Sequence, residues 1–268
     1  MHRILVILTS GKTATACLEA CSRFADALSP AEVTLIHIRP PQDPDLLPTE
    51  EVYTEERKKE FEGARDALFN DLLEAAAPWR DKGLPALQEI RGKFQEVARR
   101  EASCADLVIV GAPHMDPEGR IILNCALLEA ERPVVIMPRD LPAETGRNIA
   151  IAWAPGDAPQ RAVRAIQPVL AGAGQVTVLR GTAGSVDLSE PPNELLEHLT
   201  ASCTRVQQHV FELSGRQIGE ALLNAAHEVG ADLLVMGAFT HSRMREAIFG
   251  GATAEILYDL DMPVLMHH

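Results

Sequence analysis

Short apolar runs recur along the chain, and between them lie longer stretches whose apolar residues fall at helical spacing. RILVIL (3–8), VTLIHI (33–38), LQEIRG (87–92), ADLVIVGA (105–112) and RPVVIMP (132–138) each read as a strand. The segments between them read as helices: GKTATACLEACSRFADAL, a charged amphipathic stretch over 51–77 carrying Phe61, Leu68, Leu72 and Leu73, FQEVARREAS, and GRIILNCALLEAE. A Pro-rich loop, PPQDPDLLPTE, occupies 40–50. Strands alternating with helices predict a mainly parallel sheet with helices on both faces.

After DLPAETGR (140–147), a polar stretch with Pro and Gly that reads as a linker, the pattern restarts. NIAIAW, QVTVLRG, VQQHVFE, ADLLVMGA and MPVLM are strands; APQRAVRAIQPVLA, NELLEHLTAS and RQIGEALLNAAHEVG are helices. ADLVIVGA and ADLLVMGA agree at Ala, Asp, Leu, Gly and Ala, so the two halves are an internal repeat. The expectation is an α/β protein of two domains, 1–140 and 147–268, each with a five-stranded, mainly parallel sheet.

Composition narrows the partners. The chain has 268 residues, 46 % hydrophobic and 24 % charged, which suits globular domains with cores of ordinary size. A formal net charge of −13 opposes nucleic-acid polymers and anionic membranes, and 4 % aromatics leaves few stacking platforms for single strands. Five cysteines without C-x-x-C argue against a disulfide framework or a zinc ribbon, and Cys17 and Cys21 read as two small buried residues. MHRILVILTS is too short in apolar length for a signal or a span, so a reduced, cytoplasmic setting is expected.

The candidate chemistry lies in GAFTHSRMREAIFGGAT, 237–253. Gly237 ends a strand, where a ligand phosphate needs close backbone approach. Gly250 and Gly251 open the final helix, whose N–H groups and dipole favour an anion, and Thr253 adds a hydroxyl. Arg243 and Arg245 are in reach of further phosphate charge; a solvated polar loop is the competing reading of both.

These residues, ADLLVMGA, GGAT and MPVLM, resemble the universal stress protein family in its tandem form. The family pattern is glycine, two residues, glycine, nine residues, then glycine followed by Ser or Thr. Gly237 and Gly250 fit; Thr240 stands in the second glycine position and Gly251 in the hydroxyl position. Thr253 matches a second hydroxyl position common in family members that bind ATP. The resemblance implies two Rossmann-like domains of the adenine nucleotide alpha hydrolase type. It also implies ATP or another adenine nucleotide held by Met236, Gly237, Gly250, Gly251 and Thr253, closing strands that pair across domains, and a homodimer. The family's Asp at the end of the first strand aligns with Ala154, and in the first half with Thr9, so weakened binding is expected. The first half lacks the glycine pair: Gly111 to Pro133 is four residues shorter than Gly237 to Pro263, with Asn124 and Cys125 near the gap. It reads as a degenerate domain without the phosphate site.

Other motifs carry less. Ser10-Gly11-Lys12-Thr13 lacks the glycine-rich loop of a nucleotide P-loop, because Val6 stands where its first glycine belongs, and reads as a strand-to-helix turn. His267 and His268 lack a third metal ligand in sequence. No Ser–His–Asp pattern is present, and the charge run TEERKKEFEGARD reads as a solvated helix face. The functional expectation is a non-catalytic regulator or sensor that binds an adenine nucleotide weakly in its second half. The alternatives are a nucleotide-independent scaffold that binds a protein or an apolar small molecule and, below it, a slow ATPase.

Overall fold

The structure, a computed structural model, describes residues 1–41, 55–112, 117–139, 145–154, 156–182, 191, 193–203, 205–213, 215–238, 252–258 and 260–268. The first half runs β1 (His2–Ile7), α1 (Gly11–Ala27), β2 (Ala31–Arg39), α2 (Glu55–Arg80), β3 (Gln88–Arg91), α3 (Phe94–Ser103), β4 (Leu107–Gly111), α4 (Pro117–Asn124) and β5 (Val134–Met137). The second runs β6 (Asn148–Ala152), α5 (Asp157–Ala165), α6 (Gln167–Ala171), β7 (Gln175–Thr182), α7 (Asn193–Ser202), β8 (Val206–Glu212), α8 (Ile218–Glu228), β9 (Leu233–Gly237), α9 (Ala252–Tyr258) and β10 (Val264–His267).

Three helices differ from the sequence pattern, each for a local reason. APQRAVRAIQPVLA forms two helices, α5 and α6, separated at Ile166; Pro168 has no N–H for the ladder and its ring excludes a continuous turn. α2 runs past Pro78 to Arg80, because a proline in the last turn forfeits only one bond while Trp79 is buried against the core. α4 continues as a π-helical turn, Cys125–Glu129, closed by Ala130 N–H on the Cys125 carbonyl at 2.8 Å. Much of the Pro-rich loop and linker, and residues 51–54 of the expected helix, lie outside the described residues.

The ten strands among the described residues form one sheet in the order β3-β2-β1-β4-β5-β10-β9-β6-β7-β8. Every neighbouring pair is parallel except β5 and β10, which run antiparallel with Val134 opposite Met266, Val135 opposite Leu265 and Ile136 opposite Val264. The two expected five-stranded sheets therefore join edge to edge about a local twofold at Val135 and Leu265. All six residues of this seam are 0 % exposed. Helices cover both faces: α1, α2, α5, α6 and α7 pack on one, α3, α4, α8 and α9 on the other. Cys17 and Cys21 lie on the buried side of α1, where loss of hydration pushes both thiols up, Cys21 to about 12.

The repeated Asp of ADLVIVGA and ADLLVMGA is a sheet clasp. Asp106 accepts the Arg3 N–H at 2.9 Å and donates its own N–H to the Arg3 carbonyl at 2.8 Å, tying β4 to β1. Asp232 does the same for β9 and β6 and takes more: the N–H groups of Gly146, Arg147 and Asn148 all point at its carboxylate, at 2.7 to 3.1 Å. Gly146 has φ of +84°, a conformation only glycine adopts without strain, and that turn aims the row of N–H groups.

Because hydrogen bonds to a carboxylate outweigh neutral ones, Asp232→Ala is expected to cost about 2 kcal/mol and Asp106→Ala about 1 kcal/mol. Urea midpoints of the two variants check the order; equal losses would show that the extra bonds of Asp232 are thermodynamically silent.

Candidate functional site

In a doubly wound sheet, ligands sit outside the carboxyl ends of the strands where the strand order reverses. The chain has two such points, between β1 and β4 and between β6 and β9. The second is where the sequence places its candidate loop. Ala152 of β6 is level with Met236 of β9, and Gly237 follows, level with His267 of β10. Trp153 N–H bonds the Leu179 carbonyl, so β6 stays in register to its end and Ala154 emerges exposed. An apolar methyl thus stands where a carboxylate anchor for a nucleoside is expected.

The structure brings Met236, Gly237 and Thr253 to this end of the sheet; Gly250, Gly251, Arg243 and Arg245, with Thr240, lie outside the described residues. Met236 is buried, 5 % exposed, on the face covered by α8 and α9. Thr253, second in α9, is likewise 5 % exposed. Gly237 has a packing reason of its own. A Cβ there would stand 2.7 Å from Pro159 Cδ and 2.9 Å from the Ala158 carbonyl carbon, so the first turn of α5 rests on the strand end. The same holds at the repeat position, where a Cβ on Gly111 would strike Thr13 of α1. The close approach that Gly237 permits is made by the protein's own helix.

The final residues line this edge too. Ala238 N–H bonds the His267 carbonyl at 2.8 Å, and His268 Nδ1 bonds the Ala238 carbonyl at 3.2 Å. Burial lowers the His267 pKa, against the raising effect of its bond to the His268 carbonyl; Arg161 and His268 add to the lowering and Glu131 opposes it. Among the described residues no cluster of three His, Cys, Asp or Glu is placed to hold a metal.

At the first switch point the arrangement differs. Ser10 caps α1, its hydroxyl accepting the Lys12 N–H at 3.2 Å, so Ser10-Gly11-Lys12-Thr13 is a strand-to-helix turn. Thr9 is 8 % exposed. Arg39, at the end of β2, is buried and holds Glu89 at 3.0 Å, Glu62 at 3.1 Å and Asp66 at 2.5 Å. Arg65 of α2 pairs with Glu118 of α4 at 2.5 Å, both side chains mostly buried. The run TEERKKEFEGARD is solvated over 55–60, as its charge pattern predicts, while Glu62, Arg65 and Asp66 near its end also pair with Arg39 and Glu118. The signal was present in VTLIHIR, where His37 and Arg39 alternate in step with buried Leu35 and so must face the helices.

Gly237→Ala forces α5 away from β9 and should cost about 1–3 kcal/mol, the usual range for overpacking a tight contact. Thermal denaturation checks it; an unchanged melting temperature would show that the first turn of α5 yields freely.

Comparison with known proteins agrees with this architecture. Residues 152–268 match the model of the universal stress protein family. No curated protein matches the chain in sequence. A universal stress protein from Archaeoglobus fulgidus DSM 4304 superposes with a TM-score of 0.73 at 14 % identity, covering 98 % of this chain and 95 % of its own. A functionally unknown protein from Pseudomonas aeruginosa PAO1 superposes with a TM-score of 0.56 at 14 % identity, covering 100 % and 92 %. At such identities the superpositions establish the fold over the full length. The sequence match likens residues 152–268 to the universal stress protein family.

Proposed function

We propose that the chain is two universal-stress-like units, 1–140 and 147–268, of which only the second binds an adenine nucleotide, as a sensor or regulator without a catalytic role. What supports the reading is that Met236 and Gly237 end β9 beside β6, and that α9, which carries Thr253, is the next described element, inside the part of the chain that matches the family model. In this reading Met236 and Gly237 line the nucleoside side. Gly250, Gly251 and Thr253 meet the phosphates, and Arg243 and Arg245 neutralise the outer ones. The ligand is ATP or a related adenine nucleotide, bound weakly because Ala154 offers no carboxylate to the ribose. Binding acts by favouring one conformation over another, through contacts made in that conformation alone.

The asymmetry between halves supports one site per chain. The second residue of α9 is Thr253, a donor suited to an anion; the second residue of α4 is Glu118, a carboxylate already paired to Arg65. The surface net charge argues against nucleic-acid polymers as partners, and no helix among the described residues is long and apolar enough to cross a membrane. A cytoplasmic location and a homodimer complete the proposal. The β5–β10 seam satisfies within one chain the pairing expected of the closing strands, so a dimer would use other surfaces, such as the edge strands β3 and β8.

Two measurements test this. Calorimetric titration with ATP and AMP should give at most one site per chain. Thr253→Ala should weaken binding by about 0.5–1.5 kcal/mol, the worth of one hydrogen bond, and Gly250→Val with Gly251→Val should abolish it. No binding at millimolar nucleotide would transfer the function to the scaffold reading. Light scattering should give twice the 29.1 kDa chain mass; a monomer at micromolar concentration would remove the homodimer.

A further inference from the structure

The crevice of the first half is spanned by the chain itself. α2 packs on one face of the sheet and α4 on the other, and both begin at the carboxyl end of a strand. Arg65 reaches from α2 across that end to Glu118 on α4, side chains 15 % and 14 % exposed, with its guanidinium 5.2 Å from the Phe61 ring centre. The ion cluster of Arg39 with Glu62 and Asp66 holds the third and fourth turns of α2 onto β2.

A single uncharged imidazole lies under this strap. His37 is 0 % exposed, and its ring stacks on Phe69 of α2 at 5.9 Å between centres and 26° between planes. Its Nδ1 lies 2.8 Å from the Leu8 carbonyl, which can only accept, so Nδ1 carries the hydrogen and Nε2 is the bare nitrogen of a neutral ring. Nε2 is buried with no hydrogen-bond partner. Adding a proton there creates an N–H without an acceptor and a charge without water.

The groups around the ring are mixed in sign. β3 offers Glu89 directly alongside in register, β2 offers Arg39, and α2 offers Arg65. The residue that follows β1 offers the Leu8 carbonyl. α1 turns Thr13, Ala14, Ala16, Cys17 and Cys21 to the sheet, without a charged side chain among its buried residues, and burial keeps the two thiols protonated. Burial acts first to lower the His37 pKa; the bond to Leu8 and the charge of Glu89 raise it, and Arg65 and Arg39 lower it again.

We propose that α2 is an acid-released strap: protonation of His37 at Nε2 lifts the stretch Glu62–Phe69 of α2 from β2, parts Arg65 from Glu118 and opens the crevice of the first half. The released state exposes the ring, which takes its proton near the ordinary histidine value of about 6.5. The closed state takes it only at lower pH. Closure is therefore at full strength above about pH 6.5, and below it the opening constant rises up to about tenfold per pH unit until the closed-state value is reached. The strap operates whether or not nucleotide binds in the second half.

Hydrogen exchange of the full chain, corrected for the intrinsic pH dependence of exchange, is compared at about pH 7.5 and about pH 5.5. Peptides over 55–70 in the wild type should lose roughly tenfold protection at the lower pH, while β1, β4 and β6 keep theirs. His37→Gln, neutral throughout, should show no such loss, and Arg65→Gln should show weak protection at both values. Unchanged wild-type protection over 55–70, or an equal loss in His37→Gln, overturns the proposal. So does an NMR titration of the wild-type His37 ring at or above about pH 6.5, a readout that needs no variant to fold.

Discussion

The antiparallel pairing of β5 with β10 is the contact on which the rest of the molecule depends. A parallel five-stranded sheet ends in an edge, and both closing strands here, VVIM and VLMH, are too apolar to face water. Pairing them satisfies the edge N–H and C=O groups of both strands, while the helices on the two faces keep the six paired side chains fully buried. It leaves as outer edges the strands that tolerate solvent, β3 and β8, with polar QEIR and VQQHVFE. The pairing also determines geometry. Since every other neighbour is parallel, one antiparallel step points the strand ends of the two halves in opposite directions, so the two switch points lie on opposite edges of the common sheet. A ligand in one crevice does not touch the other.

Given that separation, the halves have diverged on one plan. Both keep the Asp clasp at the start of the fourth strand and the glycine at its end against the first helix. Where the second half keeps small and hydroxyl groups at its strand ends, the first has an arginine cluster and a salt bridge across the crevice. Ions this well buried contribute little net stability once their lost hydration is counted, but they are exacting in placement. That suits a closure that holds one conformation more than it suits a reservoir of folding energy.

Much of this was legible in the sequence. Alternating apolar runs and amphipathic stretches place nearly every strand and helix, because burial on a two-faced sheet writes a repeating pattern that needs no distant partner to be read. ADLVIVGA against ADLLVMGA gives the repeat, and Gly237, Gly250 and Thr253 give the family resemblance. The sequence also carries helix limits wherever a local group imposes them, as Ser10 does at α1. Pro168 shows the opposite: apolar spacing runs straight through a residue whose missing N–H divides the helix.

What only the tertiary structure decided is which distant residues share one place. That the closing strands meet inside one chain follows from how the two sheets dock, an event between residues 135 and 265. Gly237 reads from sequence as room for a ligand, and the fold adds a second reason for it, Pro159 resting on the strand end. TEERKKEFEGARD is a solvated face over 55–60, but helical periodicity says nothing of the salt bridge that Arg65 makes to another helix. Arg65 and Glu118 meet only when two crossovers bring opposite layers to the same strand ends. The sequence by itself determined the elements, their order and the family that the second half resembles, since these rest on local spacing. Partnerships of buried charge were decided by the fold, since the energy of a charge depends on what lies within a few ångströms of it in space.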